Sequence, residues 1–279
     1  MRQISAEKII HSISQEVIDA NIVLGEDMIE ALRRARELEH SGVGKEILKR
    51  LLENAELAKT HRIPICQDTG FVVVFAELGQ EVEIIEGDLR QAVEEGVRRG
   101  YHEGFLRKSV CHPFTRQNTG DNTPVVIHTE LVPGSQLRIW VVPKGGGAEN
   151  MSALYMLPPS AGWKGVREKV VETVVKAGPN PCPPTIIGVG IGGNFEQCAL
   201  MAKKALLRTV GSRNPDPELD TMEQELLTEI NKSGIGPQGL GGRVTSLAVH
   251  VNMMPCHIAS LPLAINIQCH ANRHREIVL

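Results

Sequence analysis

The chain has 279 residues, 42% of them hydrophobic, enough to bury one large core or two small ones. Thirty Lys and Arg against 33 Asp and Glu leave a net charge of -3, so no global basic field draws nucleic acid or anionic lipid. No run approaches the roughly 20 apolar residues of a membrane helix, and residues 1–16 mix charges with isolated isoleucines instead of forming a leader's apolar stretch, which points to a cytoplasmic protein.

Ile9, Ile10, Ile13, Val17 and Ile18 recur at helical spacing and predict a helix over 6–21, closed by Gly25 or the turn before it. Two more amphipathic helices are expected over 27–39 and 45–59, so residues 1–60 read as a helical N-terminal layer over a later sheet. Strands over 63–66, 71–78 and 82–85 follow, with Thr69-Gly70 turning between the first two, then a helix over 88–99. Residues 107–124 lack apolar periodicity and are dense in polar groups, among them Arg107, His112, Arg116, Asn118, Thr119, Asp121 and Asn122. A loop of that length inside a domain is often functional. Strands over 125–131 and 136–142 read as a hairpin turning at Pro133-Gly134. They lead into Lys144-Gly145-Gly146-Gly147, where three glycines let backbone N–H groups approach an anion. A helix over 162–176, a strand over 185–189, helices over 196–209 and 218–232, a second glycine loop over 233–242 and strands over 244–252 and 261–268 complete the chain. The pattern is α+β: an N-terminal helical layer packed on an antiparallel or mixed β-sheet, with flanking helices and glycine-rich active-site loops.

Gly188-Val189-Gly190-Ile191-Gly192-Gly193 matches the GxGxxG dinucleotide fingerprint between a strand and a helix, with Asp216 at a plausible distance for a ribose contact. A nucleotide-binding regulatory protein is thus one reading. Against it, the preceding chain reads as hairpins and not as βαβ units, and the plainer account is a tight strand-to-helix turn.

The six cysteines stand at 66, 111, 182, 198, 256 and 269 with no CxxC pair, which leaves zinc-knuckle and thioredoxin readings without support, and disulfides are not expected in a reducing compartment. Cys198 lies inside a predicted helix, where packing is the expected role. Cys66, Cys182 and Cys269 sit at predicted turns or strand ends instead, each among groups able to serve a pocket: Cys66-Gln67-Asp68-Thr69-Gly70, Pro179-Asn180-Pro181-Cys182 and Asn266-Ile267-Gln268-Cys269. Three remote thiolates suit a [4Fe-4S] cluster that keeps one iron open as a Lewis acid. Such a site suits dehydration of a hydroxy acid, whose hydroxide leaves badly until a metal draws off charge, and whose C–H next to a carboxylate needs a base.

Five segments together resemble the alpha part of class I, iron-sulfur fumarate hydratases and of L-tartrate dehydratase: Ile-Cys-Gln-Asp-Thr-Gly at 65–70, Arg-Gln-Asn-Thr-Gly-Asp-Asn-Thr-Pro at 116–124, Lys-Gly-Gly-Gly-Ala-Glu-Asn at 144–150, Gly-Val-Gly-Ile-Gly-Gly-Asn-Phe-Glu at 188–196 and Gly-Pro-Gln-Gly-Leu-Gly-Gly at 236–242. The match keeps its order, so residues 1–279 read as one alpha domain with 1–60 as its helical layer. The resemblance implies a [4Fe-4S] cluster on Cys66, Cys182 and Cys269. It also implies that Gln67, Asp68, Arg107, Gly145, Gly146, Gly147 and His257 face a small dicarboxylate, malate or fumarate; on that reading Asp68 is the candidate catalytic acid-base group and His257 the catalytic group that polarises or orients the substrate or a water. A separate beta subunit then completes the active site in an alpha2beta2 or similar assembly. The alternative within the family is L-tartrate dehydratase.

Overall fold

The computed structural model describes residues 1–279, which divide into two compact units. One comprises residues 1–24, 55–146 and 273–279; the other comprises 25–54 and 147–272. The helices of residues 1–60 are therefore shared between the units. No helix is long and apolar enough to cross a membrane.

In the first unit, β1 (Arg2–Ser5) leads into α1 (Ala6–Ile22), which Ser5 caps by accepting the Lys8 N–H. Ile9, Ile13 and Val17 of α1 meet Val93, Val97 and Tyr101 of α4 (Leu89–Glu103), and both rows pack on a sheet. Its strands are β2 (Phe71–Gly79), β4 (Val126–Val132), β5 (Leu137–Lys144) and β10 (Arg275–Val278), in the order β10-β5-β2-β4. The short β3 (Val82–Ile85) pairs with β1 instead. The hairpin expected over 125–142 does not form: β4 and β5 flank β2, parallel on one side and antiparallel on the other. The reason lies in β2, whose residues Val72 to Ala76 are all buried and need a neighbour at each edge. Residues 63–66 are not a strand either; Ile65 instead donates its N–H to the Asn21 carbonyl at 2.9 Å.

In the second unit, α2 (Glu26–Leu38) and the first half of α3 (Gly42–His61) precede the sheet β6-β9-β7-β8. These strands are β6 (Ala153–Leu157), β7 (Thr185–Gly193), β8 (Ser246–Cys256) and β9 (Leu261–Gln268). The helices α6 (Gly162–Ala177), α7 (Phe195–Ala205) and α8 (Pro217–Asn231) flank it, and a single turn, α5 (Gly146–Glu149), joins the glycine run. Strand β7 is central, parallel to β8 and antiparallel to β9. Its alternate residues divide the two faces: Ile187, Val189 and Ile191 join the core with Val170, Val174, Leu226 and Ile230, while Gly188 and Gly190 lie against α7. A Cβ at either glycine would stand 2.0 Å from a carbonyl oxygen of α7, of Ala202 or Cys198. Close packing of helix on strand thus accounts for the first half of the fingerprint. Asp216 is the cap of α8, accepting the N–H groups of Glu218 and Leu219.

Candidate active site

In the first unit, the chain leaves α3 and turns through Cys66, Gln67, Asp68, Thr69 and Gly70 into β2. Asp68 organises this turn. Its Oδ1 accepts the Gly70 N–H at 3.0 Å and its Oδ2 accepts the Gly146 N–H at 2.8 Å, so one carboxylate joins the turn to the three-glycine run. Gly70 has φ of +73°, and a Cβ there would lie 2.7 Å from the Lys144 backbone, so the two segments touch main chain to main chain. The main-chain N–H of Asp68 points at Cys66 Sγ at 3.4 Å, and the Cys66 thiol lies 3.4 Å from Gln67 Oε1.

Three residues hold the turn from below. Tyr101, fully buried, donates its hydroxyl to the Thr69 carbonyl at 2.6 Å and lies 3.1 Å from that of Gly70. Burial raises its pKa well above the usual phenol range. Asn122, also fully buried, accepts the Ser109 N–H at 2.6 Å and turns its amide to the Gly70 carbonyl at 3.4 Å. Arg273 donates to the Asp68 carbonyl at 2.9 Å.

The polar loop 107–124 leans on the same turn. Thr69 donates its hydroxyl to the Arg107 carbonyl at 2.8 Å, while the Arg107 side chain is exposed. Within the loop, the Asn118 side chain donates to the Lys108 carbonyl and Thr119 donates both its hydroxyl and its main-chain N–H to that of Val110, so these side chains brace the loop. Asp121 does the same at its base. Burial works against its charge, but the N–H and hydroxyl of Thr123, the Arg98 guanidinium and Thr119 outweigh that and hold the carboxyl down at about 2.

In the second unit, Cys182 and Cys269 belong to adjoining segments. Ile186, four residues after Cys182, pairs with Gln268, the residue before Cys269. His270 fastens the two, its Nδ1 donating to the Cys182 carbonyl at 2.9 Å. Gln238, from the second glycine loop, donates through both its main-chain N–H and its side-chain amide to the Pro183 carbonyl, at 2.8 and 2.7 Å. Gly147 adjoins the same segment: a Cβ there would lie 3.7 Å from the Asn180 carbonyl oxygen. Cys182 is exposed, with φ of +56°, and Cys269 is half-buried.

His257 stands elsewhere. Along β7, Gln268 pairs at Ile186 and Cys256 at Gly193, so the two levels are seven strand residues, or about 23 Å, apart. His257 closes the turn between β8 and β9 there, its Nδ1 accepting the Ala259 N–H. It is therefore not grouped with Cys182 and Cys269 within the unit, because a strand of this length carries the turn to the opposite end of the sheet.

Cys66 lies in the first unit and the other two expected ligands in the second. No three His, Cys, Asp or Glu side chains are grouped so as to hold a single metal ion. Cys198 is a core residue, fully buried, with its thiol on the Phe195 carbonyl and its pKa raised by burial.

A family model described as fumarate hydratase (Fumerase) matches residues 10–278. The chain belongs to the fumarate hydratase family. A member from Methanocaldococcus jannaschii named "Putative L(+)-tartrate dehydratase subunit alpha" is 43% identical over 261 residues, covering 91% of this chain and 92% of that one. The "L(+)-tartrate dehydratase subunit alpha" proteins of Escherichia coli K12 and Shigella sonnei are each 31% identical over 258 residues, covering 91% of this chain and 85% of theirs. Membership of the fumarate hydratase family supports a hydro-lyase activity. The motifs that signalled the family, around Asp68 and the glycine run, are also the segments that meet in the first unit. Tyr101, Arg273 and His270 carried no such signal: each is a lone residue whose partners lie 31 to 252 positions away.

Proposed function

We propose that this chain is the alpha subunit of an iron-sulfur dehydratase of hydroxy diacids, with L-tartrate as its preferred substrate. What supports the substrate is the name shared by relatives that align with nine-tenths of the chain. Interconversion of (S)-malate and fumarate, which the sequence resemblance puts first, is the second reading, and the family's description favours it. Because those relatives are named alpha subunits, a separate beta subunit is inferred to complete the site.

Cys66, Cys182 and Cys269 would hold the cluster. Their chemistry fits: all three are thiols outside any disulfide and outside the buried core, and Cys66 Sγ receives the Asp68 main-chain N–H at 3.4 Å. When bound, such a cluster supplies an iron with an open position that draws charge from the departing hydroxyl. The remaining work falls to side chains and amides. The Arg107 guanidinium, exposed, is assigned one substrate carboxylate, which its fork can take through two N–H groups. Gln67 and the turn of Gly145, Gly146 and Gly147 are assigned the other, through the Gln67 amide and the main-chain N–H groups of Gly145 and Gly147, while the Gly146 N–H stays on Asp68; these donors also stabilise charge developing beside it. Asp68 is assigned the proton, at the Oδ2 turned toward the glycine run. His257 receives no role in this reading within its own chain.

The test is to co-express the chain with its beta subunit, reconstitute it anaerobically with iron and sulfide, and compare kcat/KM on L-tartrate and (S)-malate. A site built to bind the second hydroxyl should favour tartrate by at least about a hundredfold. A preference for malate would move the assignment to the second reading, and turnover of neither would remove both.

A further inference from the structure

Arg273 is 3% exposed, and its two Nη atoms are spent on neutral oxygens: Nη1 on Asn21 Oδ1 at 3.0 Å and Nη2 on the Asp68 carbonyl at 2.9 Å. Its Nε is buried without a hydrogen bond. Asn21 is itself fixed, fully buried, donating its amide to the Val17 carbonyl and accepting the Ile65 N–H on its own carbonyl. Arg273 and Asn21 thus grip the turn at both ends, at Ile65 and at Asp68. A neutral side chain could serve as such a brace without the cost of desolvating a guanidinium. The charge calls for a reason, and one lies close by. A Cβ on Gly145 would stand 3.1 Å from Asp68 Oδ2 and 3.6 Å from Arg273 Nη2, so carboxylate, guanidinium and glycine run converge on one point.

We propose that Arg273 is a positioning residue for Asp68. Its fork fixes the Asp68 main chain, and its charge stands behind the Asp68 carboxylate and keeps Oδ2 on the Gly146 N–H. This rests on the reading above in which Asp68 handles the proton. Lysine keeps the charge but has no fork with which to hold Asn21 and Asp68 together.

The experiment compares the reconstituted alpha-beta complex carrying wild-type chain, Arg273→Gln or Arg273→Lys. Steady-state kinetics are run on the preferred substrate, and amide hydrogen exchange is followed in the alpha chain. For Arg273→Gln, kcat should fall at least about tenfold, the loss of one charge-assisted contact, with KM within about threefold. Exchange at the Gly70 and Gly146 amides, both held by Asp68, should quicken about tenfold while Ile139 in β5 stays protected. Arg273→Lys should open the same two amides with a smaller fall in kcat, and it serves where the Gln variant does not fold. Unchanged kcat, unchanged exchange at Gly70 and Gly146, or loss of protection spread evenly to Ile139 would each overturn the proposal. If the wild-type complex turns over neither diacid, the functional reading falls, and exchange at the two glycines still judges Arg273.

Discussion

The Tyr101 hydroxyl donates to the Thr69 carbonyl at 2.6 Å, one residue along the chain from Asp68. Tyr101→Phe removes that donor and leaves a buried carbonyl unsatisfied, at a cost of about 1–3 kcal/mol. For a chain of this size we expect the melting temperature to fall by roughly 3–8 °C in calorimetry. An unchanged melting curve would mean that water replaces the phenol.

Glu39 is fully buried, and its carboxylate accepts four main-chain N–H groups, from His40, Ser41, Arg243 and Val244. Burial works to raise its pKa, but those N–H groups prevail and the value is lowered from 4.5. A lowered carboxylate contributes stability that is present above its unfolded value and lost as pH falls through the folded one. Glu39→Gln should therefore lose at least about 2 kcal/mol at neutral pH by urea titration, and its stability should depend less on pH below 4.5.

His250 is 1% exposed, with Nδ1 donating to the Ala205 carbonyl and Nε2 buried without a partner. Burial first, and Arg208 second, lower its pKa from 6.5 to about 4. The folded state holds the neutral ring while the unfolded chain takes up a proton below 6.5, so stability should fall as pH drops from 6.5 toward 4, by up to about 3 kcal/mol. Denaturation followed across that window should show the slope in wild type and a flatter one in His250→Gln.

Gly190→Ala places a Cβ 2.0 Å from the Cys198 carbonyl, a backbone atom that can yield only if α7 shifts. We expect a loss of about 2–3 kcal/mol with no change in affinity for any nucleotide. Saturable NAD or ATP binding by wild type, abolished by the substitution, would restore the fingerprint reading.

Serine at 66, 182 or 269 should each abolish retention of iron and sulfide after anaerobic reconstitution, measured as metal and acid-labile sulfide per chain. Cys198→Ser, in the core, should keep both, although less stable. Retention by any of the first three would take that residue out of the ligand set.

The helices were legible from the chain because their signals are local. Ser5, Asp88, Asn194 and Asp216 cap helices with their own side chains, and Ile9, Ile13 and Val17 repeat at the helical period. Strand partners were not legible: β4 and β5 carry hairpin signals, yet β2 takes the place between them because it is buried on both faces. Nor was the division into two units, since it depends on which distant faces meet.

In the site, reactive groups stood out by type. Cysteines at loop ends, a carboxylate before a turn glycine and three successive glycines are uncommon enough to be noticed in isolation. Most of their supports did not stand out, because Tyr101, Asn21 and Arg273 are ordinary residues until folding brings each to a main-chain atom of the turn.

Composition and motif order thus determined the fold class and the family, both of which rest on patterns running along the chain. Which carbonyl faces a buried guanidinium, and which end of a sheet receives His257, were decided only in three dimensions, because strand register and side-chain burial are set by partners far away in sequence.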